Sequence, residues 1–359
     1  MFTQILTISS LMMIMLNFHP ALASGTQDTV TTVKSFELEE PPKDDDNENA
    51  EAPKKGWHLS KEVSLGANVS SSENRIGQAD GLSTIYNLKV DLDLTHFEKL
   101  SEWENTLKID ETLSRTPALP RFIQSTDDLR LGSAYKSFFS GRVKYGYFSS
   151  LALETNIFEG YDERAEPATY LIAKGESQNQ EIANRLKLTD PFKPMTTTVA
   201  AGAIVRPYET KTDQFEAKTG PAAKSIVAAG QLSVVDDEAT DQIEVTELED
   251  AQIIGWLFGL ALKGKSSDEK FTYKATAEAL YPISYESELD NLPEKANLVD
   301  TDVSLKLSYN LNSWTAFSYD FRAKREPLIA PDVQISHMAL LNITIKNDPK
   351  EKTTPVLTK

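Results

Sequence analysis

Residues 268–325 read DEKFTYKATAEALYPISYESELDNLPEKANLVDTDVSLKLSYNLNSWTAFSYDFRAKR. Phe271, Tyr273, Ala275, Ala277, Ala279 and Tyr281 alternate with Lys270, Thr272, Lys274, Thr276, Glu278 and Leu280. Val303, Leu305, Leu307, Tyr309 and Leu311 alternate with Asp302, Ser304, Lys306, Ser308 and Asn310. Phe317, Tyr319, Phe321 and Ala323 alternate with Ser318, Asp320, Arg322 and Lys324. A period of two places the two sets on opposite faces of a strand. One face is apolar and aromatic; the other is charged along its length. Segments of about ten alternating residues separated by turns are the pattern of a transmembrane β-barrel. A soluble sandwich or barrel also alternates, so the rest of the chain must separate the two.

The start of the chain favours export. Residues 1–23 read as a secretory signal peptide, with an apolar run from Ile5 to Phe18 too short to span a bilayer and Ala21-Leu22-Ala23 before the cleavage point. Residues 24–56 read as a disordered acidic periplasmic linker, with nine acids against four lysines and little to bury. No other segment is apolar over eighteen residues, so any membrane passage must be by strands in a closed barrel. The chain has no Cys, which removes disulfides, thiol catalysis and thiolate metal sites. Its net charge is −17. Much of that sits in the linker and in 231–250, which holds eight acids and no base. A basic patch suited to nucleic acid is absent.

Twelve strands are expected, at 58–70, 84–97, 102–114, 126–139, 143–158, 195–208, 213–228, 251–263, 269–283, 298–311, 314–325 and 332–346. The fold class is all-β, an antiparallel up-and-down transmembrane barrel occupying 57–346, followed by a polar tail at 347–359. The sixth and seventh strands alternate least, and Pro221 argues against a central place in a ladder. Short connections follow the even-numbered strands and long ones the odd-numbered. Outer-membrane barrels have this rhythm, with short periplasmic turns and both termini periplasmic. Aromatics cluster near strand ends, as girdles at headgroup level do. Trp256, in mid-strand, fits neither girdle.

Certain stretches resemble a family of uncharacterised bacterial outer-membrane β-barrel proteins built as a signal peptide plus a barrel. They are Gly56-Trp57 with Val63 to Ser70, Trp103 to Leu107, and Asp127 to Lys136. The resemblance implies an outer-membrane barrel across most of 56–346 and brings no catalytic residues. Many such barrels end on an aromatic; here Ile343-Thr344-Ile345 is followed by the polar tail.

Parity assigns Lys89, Asp91, Asp93, Glu102, Glu104, Lys108, Asp110, Arg130, Lys144, Glu154, Lys274, Glu278, Asp302, Lys306, Arg322 and Lys324 to the lumen. Two readings follow: paired charges that stiffen the wall, or a small polar pore. His96 and His337 fall on the outward face, and no motif around any Ser supports a nucleophile, so no catalytic site is expected. The acidic stretch 231–250 lacks calcium-loop spacing and reads as a solvated loop. Residues 177–188, SQNQEIANRLKL, suggest a short amphipathic helix. No cofactor or metal is expected. The expected partners are outer-membrane lipid and lipopolysaccharide, the barrel-insertion machinery and a small polar solute. The role expected first is a small pore or binding barrel, then a non-conducting structural barrel, then a lipid-active enzyme.

Overall fold

The computed structural model describes residues 55–72, 81–139, 144–174, 177–210, 212–235, 240–287, 298–312 and 314–346. The expected signal peptide, most of the linker and the C-terminal tail lie outside them. Twelve strands close into one antiparallel barrel. They are β1 (Gly56–Ser72), β2 (Gly81–Phe97), β3 (Ser101–Thr116), β4 (Leu119–Phe138), β5 (Lys144–Thr155), β8 (Met195–Glu209), β9 (Asp213–Val227), β12 (Ala251–Lys265), β13 (Phe271–Ser287), β14 (Asp300–Asn310), β15 (Thr315–Glu326) and β16 (Ala330–Lys346). Each pairs with its neighbour in the chain order of this ring, and β1 closes on β16 through Leu65 opposite Ile343. β1 and β16 join over five register pairs, 62–66 against 342–346, and a sheet closed into a ring is the form in which strands can cross lipid.

The wall is thin and two-faced. On β12 the inward residues Ile253 and Leu257 are 1% and 5% exposed, while the outward residues Ile254 and Phe258 are 59% and 53% exposed. Trp256 also faces outward and donates its indole N–H to Thr219 Oγ1 at 2.7 Å. An exterior of exposed Leu, Ile, Phe, Trp and Tyr runs around the barrel. At its short-turn end Trp57 stacks near His96 and Trp103, at 4.8 and 5.6 Å. Phe139 meets Tyr145 there at 5.4 Å.

Three expectations are corrected. Pro221 lies in β9, a central strand paired on both sides. The β8–β9 ladder skips Ala201 and Gly202 beside it, so a residue without an N–H is accommodated. Here Gly202 and Gly220 approach closely: a Cβ on either would lie 2.1 Å from the carbonyl oxygen of Thr219 or Ala201 across the pair. Second, 177–189 is not a helix. β7 (Ser177–Thr189) pairs antiparallel with β6 (Gly160–Lys174), and the inward side chain of Leu186 satisfies a sheet as well as a helical stripe. Third, the acidic stretch is not simply a solvated loop. β10 (Leu232–Val234) and β11 (Ile243–Glu247) join β6 and β7 in a separate sheet, ordered β10-β11-β6-β7. β11 runs parallel to β6, with Ile243 opposite Tyr170.

The length rhythm of the connections also changes. The third and eleventh are tight, because β3 and β4 reach Thr116 and Leu119 and β15 and β16 reach Glu326 and Ala330. Bulges near Thr112 and Lys324 carry the pairing past the expected strand ends.

The small sheet has its own core of Tyr170, Ile172, Leu186, Ile243 and Val245. The fully buried Tyr170 donates its hydroxyl to Asp162 at 2.8 Å. Burial first, and that hydrogen bond next, push its ionisation up to about 12. Asp250 accepts the backbone N–H groups of Ala229 and Ala228, which hold its carboxyl below the usual carboxylate range.

Candidate functional site: the lumen

Alternation on β14 and β15 carries Asp302, Ser304 and Lys306 inward beside Lys324, Arg322 and Asp320, their cross-strand partners. Long side chains from these strands reach the opposite wall. Arg322 lies 2.6 Å from Asp302, 3.1 Å from Asp128 on β4 and 3.1 Å from Glu154 on β5. β15 and β5 stand opposite one another in the ring of twelve, so the Arg322–Glu154 pair spans the bore. Lys324 joins Glu154 at 2.9 Å and Glu326 at 2.6 Å. Arg130 pairs with Asp128 and also lies 3.8 Å from Glu154.

Further pairs cross shorter chords. Lys89 meets Asp320 at 2.5 Å and Asp110 at 3.2 Å. Lys306 meets Asp91 at 3.1 Å. Lys136 bridges Glu104 and Glu216, at 2.9 and 3.1 Å. Arg206, almost wholly buried, holds Glu102 and Glu216, each at 2.7 Å, and its guanidinium lies 4.5 Å from the centre of the Phe138 ring. Lys218 meets Glu278 at 2.6 Å, and Lys144 meets Glu209 at 2.5 Å. Lys224 sits between Asp300 and Glu326, at 2.6 and 2.5 Å. Buried charge is costly unless paired, and here pairing spans the barrel.

The parity assignment did not include Lys136, Arg206, Glu216, Lys218, Lys224, Asp128, Asp300, Asp320 or Glu326. Asp320 carries the signal, since it alternates in phase with Arg322. For β8 and β9 it is masked by Ala, Gly and Thr on both faces. Three of the assigned residues behave differently. Lys108, Lys274 and Asp93 have no ion-pair partner among the described residues, and neither does Lys263, whose register partner is Lys274.

Three cavities among the described residues lie within this network. A central one of about 390 Å³ is lined on one side by Arg130, Glu154, Asp302, Arg322 and Lys324, and on the other by Ala200, Leu257 and Leu280. A second, about 220 Å³, lies among Lys89, Asp91, Lys108, Asp110, Lys306 and Asp320. A third, about 350 Å³, opens toward the long-connection end beside Asn156, Pro194, Ile329 and Gln334. Arg322 lines all three. An apolar cluster roofs part of that end: Leu248, Leu298 and Leu328 from the connections pack with Ile226, Ile253 and Leu280.

His96 packs on Trp57, and His337 lies opposite Phe321 in the register. Among the described residues no group of three or more His, Asp or Glu is placed to hold a metal ion.

No family model matches the chain, and no curated protein matches it. Among solved structures it is similar to an outer-membrane channel from Pseudomonas putida F1, at 10% identity and a TM-score of 0.37, covering 84% of this chain and 98% of that one. It is similar to the P. putida toluene transporter TodX at 10% identity and a TM-score of 0.32, covering 82% and 84%. The β-domain of the Bordetella autotransporter Brka matches at 10% identity and a TM-score of 0.30, covering 82% and 100%. At these scores the likenesses carry no functional argument, and what the chain does is read from its own barrel and lumen.

Proposed function

We propose that this protein is a bacterial outer-membrane barrel that admits a small polar solute through a narrow, charge-lined lumen closed at its waist by Arg322. The exposed apolar exterior, the aromatic girdle and the polar interior support the membrane placement. The short turns, with the ends of β1 and β16, face the periplasm; the small sheet of β6, β7, β10 and β11 stands on the outer side. One observation carries the functional reading: Arg322 lines all three cavities and is held to Glu154 on the far wall at 3.1 Å. Breaking that contact joins spaces that are otherwise separate, which is how a side-chain constriction meters small solutes.

The same contact favours a second reading, a barrel that never conducts and serves only as a rigid envelope element. Planar-bilayer recordings separate them. The intact protein should give small, brief openings, and Arg322→Ala should raise the mean current several-fold. Large steady currents from the unaltered protein would overturn the proposed constriction. No current from either protein would leave the structural barrel in its place.

A further inference from the structure

Inside a lumen that pairs its cations, one cluster is left unpaired. Lys263 on β12 and Lys274 on β13 are direct cross-strand partners, and Lys274 is also the partner of Lys306 on β14. Like charges directly opposite one another destabilise a sheet. Lys306 is neutralised by Asp91; Lys263 and Lys274 have no carboxylate in ion-pair range among the described residues. Lys108 stands on β3, opposite β13 in the ring, and is equally unpaired. Lys108, Lys263, Asp93 and Glu104 lie around Lys274, with its register partner Lys306 and that residue's partner Asp91 beside them. Glu104 shares Lys136 with Glu216, at 2.9 and 3.1 Å, and Asp93 has no ion-pair partner among the described residues.

The cluster is also reachable. Lys263 and Lys274 are exposed although the charges around them belong to the lumen, so they face open space in its short-turn half. Lys108 lines the adjacent 220 Å³ cavity. Each ammonium offers three donors and no acceptor. Lys108, Lys263 and Lys274 thus present three ammonium groups without an ion-pair partner among the described residues.

We propose that Lys108, Lys263 and Lys274 bind a small doubly charged oxyanion of the sulfate or phosphate type at the inner end of the lumen. This rests on the reading of the barrel as a passage for small polar solutes, and it names their class. A dianion gives each lysine an acceptor and relieves the repulsion between Lys263 and Lys274. The paired charges further up the bore offer no such unpaired ammonium groups.

The test is equilibrium binding, which does not depend on conduction. Sulfate is titrated calorimetrically into the full chain, refolded in a detergent without phosphate groups, and folding is checked by heat-modifiable gel mobility. The unaltered protein should bind sulfate saturably. Lys274→Gln and Lys108→Gln should each weaken binding about tenfold, the loss of one charge-assisted hydrogen bond. Lys274→Arg should retain most of it. Lys174→Gln, in the small sheet, should change nothing. Absence of saturable binding, or equal weakening by Lys174→Gln, would overturn the proposal. Sulfate binding without any bilayer current would uphold this site and overturn the passage reading instead.

Discussion

Lys224→Met removes the cation between Asp300 and Glu326. Lys224 Nζ lies 2.6 Å from Asp300 Oδ2 and 2.5 Å from Glu326 Oε1, and all three side chains are buried. Glu326 keeps Lys324 at 2.6 Å, but Asp300 has no second ion-pair partner among the described residues. Taking one partner from a buried ion pair costs about 3–5 kcal/mol, because the remaining charge is stranded. With Glu326 still paired, the cost should fall near the lower end, about 3 kcal/mol. Adding Asp300→Asn removes the stranded charge and should recover a third or more of that loss. The measurement is urea unfolding of the refolded barrel in lipid vesicles, followed by tryptophan fluorescence and gel mobility, with stability taken by linear extrapolation. The double-mutant cycle isolates the coupling. If Lys224→Met stays within about 0.5 kcal/mol of the unaltered protein, the range of ordinary surface changes, or if Asp300→Asn deepens the loss, these charges are not buried partners and the reading of the lumen fails.

Other outcomes follow from the same geometry. Leu307→Arg, on the lipid-facing parity, should cost about 2–4 kcal/mol in vesicle unfolding, whereas Ser308→Arg, on the lumen parity, should cost clearly less; equal losses would mean a shifted register. An epitope placed between β10 and β11 near Ala239 should be labelled on intact cells, and one between Ser266 and Ser267 only after the outer membrane is permeabilised. Tyr170 keeps its proton in the folded sheet up to about 12, while an unfolded tyrosine loses it near 10, so the folded form holds more protons between those values. Stability of the small sheet should therefore fall as pH rises through that window, seen as faster proteolytic nicking outside the barrel, and Tyr170→Phe should flatten the profile.

The barrel was legible because each of its strands pairs with an outcome of the same rule. Leu305 and Leu307 fall on one face and Lys306 on the other, and any long alternating run declares itself that way. All twelve barrel strands lie where alternation and turn residues place them to within a few residues, although β4 starts seven residues earlier and β13 ends four later than expected. What escaped was non-local. Ile182 and Leu186 are spaced by four, as on a helix face, yet share a strand's parity with Leu188, and only β6 beside them decides for the strand. Ile243 becomes buried by meeting Tyr170, which no window around either residue contains. In the lumen, parity gives a residue its face but not its partner. That Arg322 should meet Glu154 depends on which strands stand opposite in a closed ring, a property of the strand count rather than of either neighbourhood.

The parallel pairing of β6 with β11 sets an order of events during assembly. β6 belongs to the excursion between β5 and β8, and β11 to the one between β9 and β12. Their strands can meet only once the β8–β9 hairpin has brought the two excursions to the same rim. Contacts between segments so far apart in the chain form late, after the closure entropy of the intervening segment has been met. The small sheet thus acts as a clasp that fastens after the hairpin is seated. Until then Ile243 and Val245 lack Tyr170 to pack on, so a barrel halted before that step would leave them exposed at that rim.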